Sequence, residues 1–161
     1  MKVVFNDEFN YYIYLSKYNI LNLDIDNKRD IEEYFKRIFL SLKNNYHLDI
    51  YGLFNIRVYC DKNYGIIIDV LKLNSDYFKI TNKVEMKIVV DKDNSFLYEI
   101  DDYFFIKQYH NNISNIYCKN KKYYIELKDD IEELFYLYLL EHANIIFNDE
   151  ALDIKYSGVK L

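Results

Sequence analysis

The chain has no proline and no tryptophan, and only three glycines in 161 residues. Loops that cradle phosphate need glycines wherever backbone must approach the ligand closely. Gly52, Gly65 and Gly158 are too scattered for a P-loop or a dinucleotide fingerprint. Gly-x-Ser-x-Gly and His-Glu-x-x-His are also missing, which removes the common hydrolase and zinc-protease signatures. Two cysteines, Cys60 and Cys118, are too few for a disulfide framework. Their spacing from each other and from His47, His110 and His142 is unlike paired zinc-ligand motifs. No metal or cofactor is expected, and both thiols are expected reduced. No apolar run approaches the ~20 residues that span a bilayer. Met1 to Ser16 is broken by Asn6, Asp7, Glu8 and Asn10 and does not read as a signal peptide. The expected location is the cytoplasm, with no membrane partner.

What is abundant is Asn, Lys, Ile and Tyr, with 19 tyrosines and only Ala143 and Ala151 as alanines. The scarce residues are those with GC-rich codons, so the bias reflects an AT-rich genome before it reflects function. With 51% hydrophobic and 29% charged residues, the chain is globular.

Two segments open alike, Asp30-Ile31-Glu32-Glu33 and Asp130-Ile131-Glu132-Glu133. After the first, Ile31, Tyr34, Phe35, Ile38, Phe39, Leu42 and Tyr46 recur at one-face helical spacing. Asp30 and Glu33 suit a capping box there, and Phe35 and Ile38 are expected in the core. After the second, Leu134, Phe135, Leu137, Tyr138, Leu139 and Leu140 nearly encircle a helix from Ile131 to about His142. Such a helix is buried on several sides or packs against a partner.

The remaining patterned segments alternate and read as hairpins. Val3 to Leu15 folds around Asn6-Asp7-Glu8. Asn55 to Cys60 turns at Asp61 to Gly65 into Ile66 to Leu71, with Ile56, Val58 and Cys60 on one face. Val84, Met86, Ile88 and Val90 turn at Asp91 to Asn94 into Ser95 to Ile100. Ile116 to Cys118 turns at Lys119-Asn120-Lys121 into Tyr123, Ile125 and Leu127. Leu152 to Leu161 would form a fifth hairpin around Ser157-Gly158. The expected fold is α+β: antiparallel, hairpin-rich sheets with the two helices on sheet faces. An N-terminal half over 1–76 and a C-terminal half over 84–161 are expected, with the stretch from Asn74 to Lys83 between them.

Candidate chemistry is thin. Asp91-Lys92-Asp93-Asn94-Ser95 begins like a calcium loop, but Phe96 stands where Gly is needed and Asp102 where Glu is needed. It reads as a solvated turn. Other aspartates fall in turns or caps, and His142 reads as a rim residue, so no catalytic residue is assigned. Tyr117, Lys119, Lys121, Lys122, Tyr123 and Tyr124 make a basic, aromatic hairpin able to stack bases. The net charge of −5 opposes phosphate overall, and nucleic acid is not the expected partner. The expected protein-binding surface is Tyr117, Lys119, Lys121, Lys122, Tyr124, Leu137 and Leu140, combining exposed rings with the second helix. The partners would be proteins, with a second copy of the chain among the options. The competing reading is a small α+β protein that binds RNA or a small molecule.

The order of elements also resembles a known family. A strand pair is followed by the helix Ile31 to Leu42 and then by Leu48-Asp49-Ile50-Tyr51-Gly52-Leu53-Phe54-Asn55-Ile56-Arg57-Val58. With Asp61-Lys62 and Gly65-Ile66-Ile67-Ile68, this resembles the N-terminal domain of MecA-type adaptor proteins. Asn115-Ile116-Tyr117, Lys122-Tyr123-Tyr124-Ile125-Glu126-Leu127, a helix, Asn144-Ile145-Ile146 and Glu150-Ala151-Leu152 are similar to stretches of that family's C-terminal domain. The resemblance implies a non-catalytic adaptor whose N-terminal domain takes a substrate protein and whose C-terminal domain docks on a Clp-type ATPase. The chain departs from the family in being shorter and in lacking the long acidic linker. Tyr103 to Asn112 also lacks the pattern of the first helix of the C-terminal domain.

Overall fold

In a computed structural model that describes residues 1–61, 65–73, 83–92, 94 and 96–161, the alternating segments assemble two five-stranded sheets. The first contains β1 (Lys2–Phe5), β2 (Asn10–Ser16), β3 (Gly52–Asp61), β4 (Gly65–Leu73) and β5 (Val84–Asp91), in the order β1-β2-β4-β3-β5. The second contains β6 (Leu97–Ile100), β7 (Ile113–Lys119), β8 (Lys122–Leu127), β9 (Asn144–Ile146) and β10 (Val159–Lys160), in the order β10-β7-β8-β6-β9. Among the described residues the α-helices are α1 (Lys28–Tyr46), α2 (Tyr103–Gln108), α3 (Glu133–His142) and α4 (Asn148–Ser157). The fold is α+β.

α1 lies on one face of the first sheet. Its Ile31, Phe35, Ile38, Phe39 and Leu42 are buried together with alternate residues of the strands, among them Ile13, Ile56, Val58 and Ile68. Each large side chain so buried contributes roughly 1.5–3 kcal/mol. The cap is not Asp30. Asn27 accepts from the Arg29 amide at 3.1 Å, and the helix begins three residues earlier than the apolar stripe implies. Asp30 sits inside the first turn, where its charge still favours the helix dipole. His47, at φ 56°, ends the helix by donating its N–H to the Lys43 carbonyl.

The first, second and fourth expected hairpins form as β1–β2, β3–β4 and β7–β8. Asn120 and Lys121 both have positive φ between Lys119 and Lys122, the backbone a two-residue turn requires. Gly65, at φ +128°, is required for another reason: a Cβ there would lie 2.0 Å from the Leu15 carbonyl oxygen. The turn residues 62–64 lie outside the described residues.

The third hairpin does not form. β5 pairs parallel with β3, from Gly52↔Val84 to Tyr59↔Asp91, while β6 sits in the other sheet between β8 and β9. Burial gives the reason. In β5 only alternate residues turn inward, completing the core beneath α1, as suits an edge strand. In β6, Leu97, Tyr98 and Ile100 are all buried and two faces must be covered. Of the stretch from Asn74 to Lys83 between the halves, residues 74–82 lie outside the described residues, as do Asp93 and Ser95 of the calcium-like turn.

The chain's end is also different from the expected hairpin. Asn148–Ser157 is helical, and only Val159–Lys160 is a strand, paired with Tyr117 and Cys118. Ala151 and Ile154, one turn apart, are buried in a small core with Leu97, Tyr117 and Tyr124. Asp149 and Glu150 in the first turn and Lys155 in the last carry the charge order a helix prefers. A third core joins the two sheets. Tyr14, Tyr59 and Ile67, on the face of the first sheet opposite α1, pack with Tyr98, Ile125 and the buried side of α3.

Candidate functional site

The surface expected from the sequence is largely taken apart. Tyr117 and Tyr124 are each only 7% exposed, because α4 covers that face of the second sheet. Lys119 pairs with Asp153 of α4, and Lys122 pairs with Glu99 of β6 at 2.6 Å. Lys121 is exposed at the turn tip. Leu140 is buried against the central core. Of the seven residues, Leu137 alone offers outward apolar surface. The basic aromatic hairpin therefore presents neither free rings nor a full set of free charges.

Beneath α4 lies a polar network rather than a binding surface. Glu126 accepts from Lys155 at 2.5 Å and from Asn115 at 2.7 Å, with the Tyr117 hydroxyl at 3.5 Å. Burial acts to raise the Glu126 pKa, but these hydrogen bonds and the Lys155 charge outweigh it and hold the carboxyl below its ordinary value.

Leu137 leads to what the sequence left half-read. At 100° per residue, Glu133, Leu134, Leu137, Tyr138, Glu141 and His142 occupy one half of α3, and all are exposed. Phe135, Tyr136, Leu139 and Leu140 occupy the other half, and all are buried. The helix therefore carries two apolar stripes. Leu134 is 78% exposed, Tyr138 42% and Leu137 36%. The helix also starts later than its apolar pattern implies: Ile131 precedes it and is buried, while Glu132 takes the cap position without a side-chain bond.

α2 flanks this outer stripe. Asp102 accepts from the Phe104 amide at 2.8 Å and starts the short helix in the segment that showed no helical pattern. Phe105 stacks on Tyr138 with ring centroids 5.4 Å apart and planes at 11°. It also stacks on Phe135 at 6.0 Å. Phe104 beside it is 77% exposed. A cleft of about 170 Å³ opens on this flank, lined by Ile100, Asp101, Asp102, Phe105, Tyr138 and His142 among others. A second, of about 390 Å³, opens on the other flank between Met1, Lys2, Val3, Tyr46, Leu137 and Glu141. Lys2 crosses its floor to donate to the Leu140 carbonyl. The outer stripe is thus a ridge between two grooves, a shape that suits helix packing.

The smaller cleft gathers two carboxylates and an imidazole, but Asp101, Asp102 and His142 are all exposed. Acid–base catalysts are tuned by burial, and Asp102 is occupied in capping α2. A separate depression of about 350 Å³ on the uncovered part of the first sheet, lined by Asn55, Arg57, Asp69, Leu71, Lys87 and Val89, mixes both signs of charge. This is the solvated face usual for such a sheet. Burial raises the Asp69 pKa, with the Arg57 charge opposing.

Cys60 and Cys118 are free thiols. Cys60 is buried beside Ile56 and Val58, as its strand alternation implied, and burial, with the Asp91 charge adding, pushes it up to about 11. Among the described residues, no three His, Cys, Asp or Glu side chains converge as a metal set. No helix among them is long and apolar enough to cross a membrane. The chain matches no protein-family pattern, no curated protein and no solved structure.

Proposed function

We propose that the chain is a non-catalytic protein–protein interaction module of the cytoplasm, an adaptor of the MecA kind that presents substrate proteins to a Clp-type ATPase. The outer stripe of α3, with Phe104 of α2, is its docking surface. One observation carries this reading: α3 has a second apolar group besides the one its own fold buries, and this group, Leu134, Leu137 and Tyr138, is exposed between two clefts. Exposed apolar patches of this kind mark interaction sites. The adaptor assignment draws on the element order.

The test is affinity capture from native lysate with two baits, the unaltered chain and the Leu134→Glu/Leu137→Glu variant, read by mass spectrometry. The reading expects an unfoldase and client proteins on the first bait, depleted on the second. Equal recovery on both baits, or RNA without protein, contradicts it.

A further inference from the structure

The charges around the outer stripe of α3 are predominantly acidic, and they select among the segments that would fit between its clefts. Glu133 and Glu141 bracket Leu134, Leu137 and Tyr138 along the exposed half of the helix. Glu133 and Leu137 are one turn apart, as are Leu137 and Glu141, so the apolar centre is closed at both ends by carboxylates. Exposed Asp101 and Asp102 line the groove on the α2 side, and Glu141 lines the groove on the β1 side. The segment leading into the helix adds exposed Asp129, Asp130 and Glu132 against a single Lys128. The basic groups are fewer: Lys2, which lines the second groove and is held by the Leu140 carbonyl, the Met1 amino group beside it, and Lys107 on α2.

We infer that the occupant of this surface is a basic amphipathic α-helix of a partner protein, with its apolar side seated on Leu134, Leu137 and Tyr138 and its lysines or arginines reaching Glu133, Glu141, Asp101 and Asp102. This rests on the interaction reading above and names the partner's chemistry. Three physical points lead to it. A ridge with a groove on each side accepts the side-chain rows of a second helix. An apolar strip little more than one helical turn long suits the closely spaced anchors of one helix rather than a broad globular face. An acidic rim attracts a basic segment and repels an acidic one, so charge sets both encounter rate and choice of partner. The same rim disfavours a second copy of this chain, because an isologous contact centred on Leu137 would set the carboxylates of Glu133 and Glu141 against carboxylates of the other copy.

Two synthetic helical peptides test this on the full chain. Both carry leucines at i, i+3, i+4 and i+7; one has lysines at every flanking position, the other glutamates. The lysine peptide is expected to bind, to weaken as salt rises, and to exceed the glutamate peptide by about tenfold or more in affinity. Its amide-shift footprint is expected on α2 and α3. Glu133→Lys/Glu141→Lys is expected to reverse the order of the two peptides with an unchanged melting temperature. Equal binding of both peptides, binding of neither, a footprint elsewhere, or a dimer of the chain dispersed by Leu134→Glu overturns the inference. Should the peptides fail while lysate capture still depends on Leu134 and Leu137, the partner's chemistry is wrong and the docking surface stands. Should capture be indifferent to those leucines, the function itself is wrong.

Discussion

α1 and α3 carry the same tetrapeptide at two different places relative to the helix start, and they differ in how much of their apolar surface the fold uses. In α1, Asp30 lies in the first turn and Ile31-Glu32-Glu33 runs on into the second, because Asn27 caps the helix three residues upstream of Asp30. In α3, Asp130-Ile131-Glu132 lies ahead of the helix, and Ile131 is buried outside any helix or strand. Four identical residues therefore do not fix a helix boundary; a cap and the tertiary demand on one isoleucine do. The second difference matters more for function. α1 has one apolar stripe and a polar reverse with Glu33, Lys36 and Arg37 exposed. α3 has two stripes, and its fold buries one. A helix of the first kind completes a core, and one of the second kind completes a core and offers an interface.

That contrast breaks most readily in α1. Phe35→Ala should leave a cavity between helix and sheet and cost about 3–5 kcal/mol, read as a lower denaturation midpoint at unchanged slope. An unchanged midpoint would show that the stripe of α1 does not carry the first core. Next in size is the inner stripe of α3, where Leu139→Ala should cost about 2–5 kcal/mol because Leu139 reaches the core shared by the two sheets.

A smaller effect separates the covered face of the second sheet from the open one. The Glu126 pKa is lowered in the folded chain, so its contribution to stability is complete above its ordinary value of 4.5. It is lost as pH falls through the lower folded value, since protonation then costs the folded state its bonds from Lys155 and Asn115. Glu126→Gln should flatten the stability profile over that acid range. An identical profile in the variant would mean that α4 does not hold this carboxylate.

The same contrast explains how much was legible beforehand. Residue alternation gave β1 to β4, β7 and β8 and the inward face of β5, since a period of two survives any topology. It did not give the partner of β5, because parallel or antiparallel pairing leaves no mark on an eight-residue alternation. α4 was missed because only Ala151 and Ile154 are buried on it, too few to show a period, while Ser157-Gly158 looked like a turn. Missing α4 misplaced the candidate site, because Tyr117 and Tyr124 read as exposed rings once nothing covers them. Leu137 was found for a sound reason, the excess of apolar faces on α3. Leu134 and Tyr138 were in the same pattern; choosing them over Leu140 required knowing which half of the helix meets the core.

The central claim is that the outer stripe of α3, led by Leu134, adds little to folding and is committed to binding. The most direct measurement is a paired readout on Leu134→Glu: thermal or denaturant stability beside capture of partner protein from lysate. Stability within about 0.5 kcal/mol of the unaltered chain, together with loss of the captured protein, is the predicted result. A stability loss of the size expected for Leu139→Ala, or full capture by the variant, would contradict it.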